Sequence, residues 1–376
     1  MGNETFTAAV IGSGMIANQG HIPAYLQFPD RVSLRAVCGR NEATTLETAR
    51  RYGIEHFYTS PAELLEREKP DIVSICTPNQ SHRELAELAL NMGCHVICEK
   101  PVALHYADAK ALYELAARKG KLLVACQSVR FQRPWFAAKE YIEEGHLGQI
   151  YFAQFDRVRR RGIPTWGSFH RQSESGGGAM ADIGVHALDG LLWILGNPEV
   201  ESVTGFASNA IAKTERDVIY DLRECGAFSG APSSARFDPE QFDVEEFASG
   251  CIRTKNGIAI QFKAAWAANA PNENSMTILG SKGGLTLPQL KLYSTLGRNQ
   301  TDMEPRLFPL GEFDDIPFGG HRYLIRHTLN VLSGSEDLLI TPAQTLNICK
   351  TLDLFYRSAA MGREVFEFEL TQEEIL

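Results

Sequence analysis

Phe6-Thr7-Ala8-Ala9-Val10-Ile11-Gly12-Ser13-Gly14-Met15-Ile16-Ala17 is the stretch on which the reading of the whole chain turns. Its first half is an apolar run of alanine and branched residues with the length of a buried strand. Its second half is punctuated by glycine and then opens a helix at Met15, Ile16 and Ala17. A strand, a tight turn and a helix in this order need particular residue types. Gly12 serves the turn, Gly14 lets backbone approach a pyrophosphate, and Ala17 is small enough for the helix to pack on the strand. The phosphates would then rest on the helix N-terminus. Gly12, Gly14, Met15 and Ile16 are therefore the first candidate nucleotide-binding residues.

Outward from this stretch the chain alternates. Val32 to Cys38 reads as a strand, Asn41 to Tyr52 as a helix, Asp71 to Cys76 as a strand and Ser81 to Met92 as a helix. Strands come next at His95 to Cys98 and Leu122 to Cys126, with a helix from Tyr106 to Arg118 between them. Such alternation predicts a parallel, doubly wound sheet, on which ligands bind outside the carboxyl ends of the strands. The residues at those ends are Gly39-Arg40-Asn41, Thr77-Pro78-Asn79 with His82 close behind, Glu99-Lys100-Pro101 and Gln127. All are candidates for contact with a dinucleotide. The second strand of such a sheet ordinarily ends in an acid that bonds the adenosine ribose. Here the place holds Gly39, followed by Arg40 and Asn41, a combination that suits a 2'-phosphate and favours NADP over NAD. Proline holds Lys100 extended beyond the sheet edge, where a nicotinamide would lie, and makes it a proton-transfer candidate.

From Ile150 the alternation gives way to successive strands, at Tyr151 to Arg157, Glu201 to Phe206, Glu246 to Thr254, Gly257 to Trp266 and Ser275 to Leu279. This change predicts a second domain, with residues 1–129 forming a dinucleotide-binding domain and 130–376 the second domain. Within the second lies Ser175-Gly-Gly-Gly-Ala-Met-Ala-Asp-Ile-Gly-Val-His-Ala-Leu-Asp189. The glycines read as a flexible hinge that passes close to a ligand, and a helix is expected to start near Ala179. Asp182 and His186 would then share one helix face. The glycine- and proline-bearing segment Asn209 to Asp243 reads as a long loop, and helices are expected at Gly320 to Ser333 and Pro342 to Met361.

Composition narrows the partners. Among 376 residues, 37 basic side chains face 46 acidic ones for a net charge of -9, which argues against nucleic acid or an anionic membrane and for a small molecule. No apolar run approaches the roughly 20 residues of a membrane span and no leader pattern opens the chain, so a soluble, cytoplasmic protein is expected. Eight cysteines, several at the ends of apolar runs, fit a reduced compartment. Cys94 and Cys98 would share a strand face, but no second cluster completes a tetrahedral set, and no metal site is expected.

The fingerprint, the Thr77-Pro78-Asn79-x-x-x-His82 loop, Glu99-Lys100-Pro101 and Gly176-Gly-Gly-x-x-x-Asp182-x-Gly-x-His186, in this order, resemble the Gfo/Idh/MocA family of sugar and polyol oxidoreductases. The resemblance covers nearly the whole chain. It implies an α/β Rossmann domain followed by an α+β domain on a large, open, mainly antiparallel sheet, through which a homo-oligomer, dimer or tetramer, would assemble. It assigns substrate binding and oligomerisation to 130–376 and implies that Lys100, Asp182 and His186 line the substrate site. His186 would act as general base, Lys100 would share or relay the proton, and Asp182 would orient the pair. The loop Arg161-Gly-Ile-Pro-Thr-Trp166-Gly-Ser-Phe-His170 brings an indole whose face could pack on sugar C–H groups while Arg161 and His170 bond hydroxyls. The expected activity is hydride transfer between a nicotinamide and a secondary hydroxyl of a sugar, polyol or glycoside. Two other readings stand beside it: a glycosidase that oxidises its sugar transiently with a held NAD, and a non-catalytic nucleotide and sugar sensor.

Overall fold

In the computed structural model, which describes residues 5–164, 167–214 and 239–372, the apolar runs of the first third become six strands. They are β1 (Phe6–Ile11), β2 (Val32–Cys38), β3 (His56–Tyr58), β4 (Ile72–Ile75), β5 (His95–Cys98) and β6 (Leu123–Ala125). The sheet runs β3-β2-β1-β4-β5-β6, and every pair is parallel. A parallel sheet must be covered on both faces, and all four residues of β4, near its middle, are buried. The cover comes from helices at Glu42–Tyr52, Pro61–Glu68, His82–Asn91 and Tyr106–Lys119. Local chemistry sets their ends: the Asn41 side chain accepts from the Thr44 N–H at 3.0 Å, and Gly53 closes that helix with φ +67.

Met1–Phe131 and Leu310–Leu346 form one unit. The returning segment brings the helix Gly319–Leu332, whose buried face includes His321, Tyr323, Leu324 and His327. Phe131 stacks on Tyr323 with ring centroids 6.4 Å apart. The order of elements along the chain does not announce this return.

Gln132–Pro309 and Asn347–Leu376 form the other unit. Its strands are β7 (Ile150–Val158), β8 (Val200–Ser208), β9 (Phe247–Thr254), β10 (Ala259–Ala265), β11 (Glu273–Gly280), β12 (Gly283–Leu287), β13 (Lys291–Leu296), β14 (Asn299–Met303) and β15 (Val365–Phe366). They make one nine-stranded sheet, β14-β13-β12-β11-β7-β10-β9-β8-β15. Only β7 and β10 pair in parallel; the other pairs are antiparallel. The period-two alternation is visible in the register. Phe155 stacks on Phe262 at 5.6 Å, and Phe262 meets Phe355 of the helix Pro342–Met361. Tyr151 and Phe206 are 54% and 58% exposed. The expected long loop contains a short helix, Ala210–Thr214, and a 3-10 turn, Pro239–Gln241, while 215–238 lie outside the described residues. No described helix is long and apolar enough to cross a membrane.

Candidate functional site

Because the six strands of the first sheet run the same way, their carboxyl ends share one edge, and every end but that of β3 carries a candidate residue. Gly12 follows β1 with φ +113, and a Cβ there would lie 2.4 Å from the carbonyl oxygen of Cys76, at the end of β4. The turn therefore presses directly on the neighbouring strand, and no side chain fits. Gly14 is exposed, and a Cβ on it would meet nothing within 4 Å. Met15 and Ile16 are half-buried in the turn beyond it. Asn18, which sequence reasoning missed, holds this loop by donating from Nδ2 to the carbonyls of Ser13 and Gly14, each at 2.9 Å. The helix then widens into a π turn, Ala17–His21, in which Ile22 N–H reaches back to Ala17.

The position after β2 is closely packed by side-chain hydroxyls. A Cβ on Gly39 would lie 2.3 Å from Ser13 Oγ and 2.5 Å from Thr45 Oγ1, two hydroxyls that bond each other at 3.2 Å. Arg40 is exposed, while the Asn41 side-chain oxygen is taken by its own helix cap. At the end of β4, Thr77 and Asn79 are half-buried and Pro78 is exposed. His82 is fully buried, its ring nitrogens 2.7 Å from the Pro101 carbonyl and 2.9 Å from that of Thr77. It packs between two strand-end loops rather than reaching outward. Burial pushes its pKa down, outweighing the two carbonyls and Glu99, which push it up. After β6, Gln127 is 2% exposed, and its Oε1 has no hydrogen-bond partner among the described residues. An open backbone at Gly14, a closed turn at Gly12 and a buried amide oxygen with unused capacity fit a dinucleotide along this edge.

Glu99 faces inward. Its Oε1 lies 3.0 Å from His21 Nε2 and 3.4 Å from His321 Nε2, and its Oε2 accepts the Lys100 N–H at 3.3 Å. With Cys126, these groups bring four buried donor atoms within 4.8 Å of one another. Burial alone would raise the Glu99 carboxyl, but the hydrogen bonds from the two imidazoles and their charge hold it well below the usual range. Burial lowers His21. Lys100 itself is half-buried. His321 carries no signal in sequence, because the helix that delivers it begins about 220 residues after Glu99.

In the other unit two of the three glycines are packed against neighbouring groups. Gly177 and Gly178 are buried, and a Cβ on Gly178 would lie 1.8 Å from the Glu245 carbonyl oxygen. The Glu245 carboxylate accepts the N–H groups of Gly178 at 2.8 Å and Met180 at 2.9 Å, and the Tyr356 hydroxyl at 3.0 Å. It thus caps the helical segment carrying Asp182 and His186, a place where negative charge meets the positive helix end. That segment begins as a π turn, Met180–Gly184, and continues as α-helix from Val185 to Ile194. Its start agrees with the expected one; the extra residue in the first turn has no signature in the sequence. Asp182 and His186 are both half-buried. Asp182 Oδ2 accepts the indole N–H of the fully buried Trp266 at 3.0 Å. A buried indole needs an acceptor, but nothing near Trp266 in sequence marks Asp182 as that partner.

The loop before the glycines is anchored by its own chain. Arg161 donates to the carbonyls of Arg160 and Ala268 at 2.7 and 3.3 Å and to Asn269 Oδ1 at 2.7 Å. Its guanidinium fixes the loop to the segment after β10. The His170 side chain is half-buried and its carbonyl accepts from Asp243 N–H at 3.1 Å. Trp166 lies outside the described residues.

Known proteins resemble the chain over both units. The Gfo/Idh/MocA oxidoreductase family with an NAD-binding Rossmann fold matches residues 6–126, and the corresponding C-terminal domain matches 135–286. D-glucoside 3-dehydrogenase of Escherichia coli is 30% identical over 367 residues, covering 97% of this chain and 98% of its own. Levoglucosan dehydrogenase of Pseudarthrobacter phenanthrenivorans is 28% identical over 301 residues, 75% of this chain and 73% of its own. A solved levoglucosan dehydrogenase, in complex with NADH and levoglucosan, shares the fold with a TM-score of 0.79 at 22% identity, over 96% of this chain and 99% of that one.

Two outcomes are expected from this geometry. Gly178→Ala should destabilise its unit by roughly 1–3 kcal/mol, the usual cost of overpacking, which lowers the melting temperature by roughly 2–12 °C; an unchanged melting curve would show that the Glu245 contact yields freely. His21 and His82 have folded pKa values below their unfolded ones. Their contribution is therefore complete above the ordinary histidine range and is lost as pH falls through it. Glu99 adds a further loss only below the ordinary carboxyl value of 4.5. The urea midpoint should fall between about pH 7.5 and about pH 5.5, and a midpoint that rises over this interval contradicts the assignment.

Proposed function

The chain belongs to the Gfo/Idh/MocA family of oxidoreductases, and from that premise we propose that it is a dehydrogenase or reductase acting on a secondary hydroxyl of a sugar, polyol or glycoside. The observation that carries this reading is the shared carboxyl edge of β1, β4, β5 and β6, where the glycine turn, the Thr77 loop, Lys100 and Gln127 succeed one another. The near full-length likeness to a D-glucoside 3-dehydrogenase supports a carbohydrate as substrate.

When bound, the nicotinamide takes or gives the hydride, and the chain's own groups handle the proton. His186 accepts the hydroxyl proton, Lys100 shares or relays it and polarises the oxygen, and Asp182, oriented by the Trp266 indole, supports the imidazole that forms a cation. The dinucleotide would be held by Gly12, Gly14, Met15 and Ile16 at the pyrophosphate and by Thr77, Pro78, Asn79 and Gln127 further along the edge. With no acid at Gly39 and Arg40 exposed beside it, the phosphorylated dinucleotide is favoured. The exposed Tyr151 and Phe206 on the nine-stranded sheet support assembly through that sheet as a dimer or tetramer. The reduced dinucleotide accumulates in a dehydrogenase and not in a transient-oxidation glycosidase or a sensor, so one assay separates the three.

That assay is incubation of methyl glucosides, free hexoses and polyols with NAD and NADP separately, read by the absorbance of reduced nicotinamide; silence across the panel with both dinucleotides contradicts the reading. Arg40→Ala should weaken NADP by roughly 1.5–3 kcal/mol, about ten- to a hundredfold or more, and leave NAD nearly unchanged. Equal losses for both would remove Arg40 from cofactor choice. Lys100→Ala and His186→Ala should each lower kcat by a factor on the order of a hundred to ten thousand, with dinucleotide affinity within a few fold. Combined, they should cost much less than the product, because groups acting as a unit are not additive. Full turnover in a destabilised His186→Ala protein would instead make that histidine a structural residue.

A further inference from the structure

The buried group around Glu99 is not used by the chemistry above. A carboxylate taken out of water costs several kcal/mol, and replacing buried ion pairs by apolar side chains is often neutral or stabilising. Stability is therefore a weak reason for this chain to place Glu99, His21 and His321 in its interior, where they are 8%, 0% and 7% exposed.

The hydrogen bonds around Glu99 have a direction. A carboxylate only accepts, so His21 Nε2, 3.0 Å from Oε1, carries the proton. Burial disfavours the charged ring, and in the neutral form Nδ1 accepts from the Ser74 hydroxyl at 3.1 Å. Ser74 has then used its proton, so the Tyr25 hydroxyl, 2.8 Å away, donates to Ser74 Oγ. Tyr25, Ser74 and His21 thus form one chain of donors that ends on the carboxylate. His321 approaches the same oxygen at 3.4 Å, its ring packed edge-on against His21 with centroids 5.4 Å apart. The other oxygen takes the N–H of Lys100. On the far side of Lys100, the buried His82 lies 2.7 Å from the Pro101 carbonyl. The backbone of Lys100 is therefore fixed by a buried group before it and a buried group after it.

We propose that Glu99 is a positioning residue for Lys100 and that His21 and His321 hold its carboxylate for that task. The inference rests on the reading of Lys100 as a proton-transfer group. It adds His21 and His321, neither of which touches the reacting atoms, to the residues on which turnover depends. The four donor atoms that include Cys126 could surround a cation, but the His21 contact has a hydrogen-bond length, and the donor chain from Tyr25 accounts for it without one.

The test uses the full chain, methyl β-D-glucopyranoside or the methyl glucoside turned over fastest, and the variants Glu99→Gln, His321→Ala and His321→Gln. Glu99→Gln and His321→Ala should each lower kcat about tenfold or more, with KM and dinucleotide affinity within about threefold. His321→Gln, which keeps a donor near the Nε2 position, should recover most of the loss. Nitrogen-15 shifts of His21 should report a neutral ring protonated at Nε2. The inference is overturned if Lys100→Ala is inactive while Glu99→Gln and His321→Ala keep full kcat and lose only melting temperature. It is equally overturned if the purified protein holds a stoichiometric transition metal that these variants release. If Lys100→Ala keeps full turnover, the role of Lys100 fails first, and the inference falls with it.

Discussion

Position 12 has no room for a Cβ, which would sit 2.4 Å from the Cys76 carbonyl oxygen. That approach is the constraint on which the first unit depends. It brings the turn after β1 against the end of β4, the place where the strand order reverses direction in the sheet. Ligand crevices in open α/β sheets form at such switch points because the crossovers leave on opposite faces there. The neighbouring constraints act in the same way. Ser13 and Thr45, whose hydroxyls bond each other, occupy the space beside Gly39. His82 packs between the Thr77 and Pro101 backbones, and Glu99 accepts the Lys100 N–H. An edge built from strand ends is made rigid by buried polar groups behind it.

The second unit uses a carboxylate in a comparable way. Glu245 caps the turn that opens the helical segment of Asp182 and His186, and its backbone carbonyl sets how close Gly178 must come. Burial pushes the Glu245 carboxyl up, although two backbone N–H groups and the Tyr356 hydroxyl favour its ionised form. Its neighbour Glu246 accepts from the N–H groups of Ile211 and Ala212 at 2.5 and 2.6 Å and so anchors a second helix start. Adjacent acids at the start of β9 thus secure two helix ends, and Trp266, just past β10, orients Asp182.

The reach of each signal along the chain decides how much of the fold and of the candidate site is legible in the sequence. Runs such as Ile72–Ile75 and Val32–Cys38 carry their strand identity locally, and the glycine fingerprint fixes the turn and helix after β1. The short β3, the meander β12 to β14 and the two-residue β15 do not, since their pairing comes from neighbours rather than from a sustained pattern. Three glycines in succession look like a hinge, because sequence does not reveal that Tyr356 and Glu245 occupy the space that side chains at Gly177 and Gly178 would fill. Asn41 and Arg161 have the right chemistry for a ligand, yet a helix cap takes one and backbone carbonyls take the other. His321 is illegible for the plainest reason: nothing within its helix points to a carboxylate at the end of β5.

The central claim is that hydride leaves a secondary carbon of a carbohydrate for a dinucleotide held on the carboxyl edge. Turnover of a methyl glucoside deuterated at its ring carbons, followed by mass spectrometry of the recovered dinucleotide, tests it most directly. Direct transfer gives reduced nicotinamide that carries the deuterium, in amounts that match the ketosugar formed. Reduced nicotinamide without the label, or a cleaved glycoside with no reduced dinucleotide released, would contradict it.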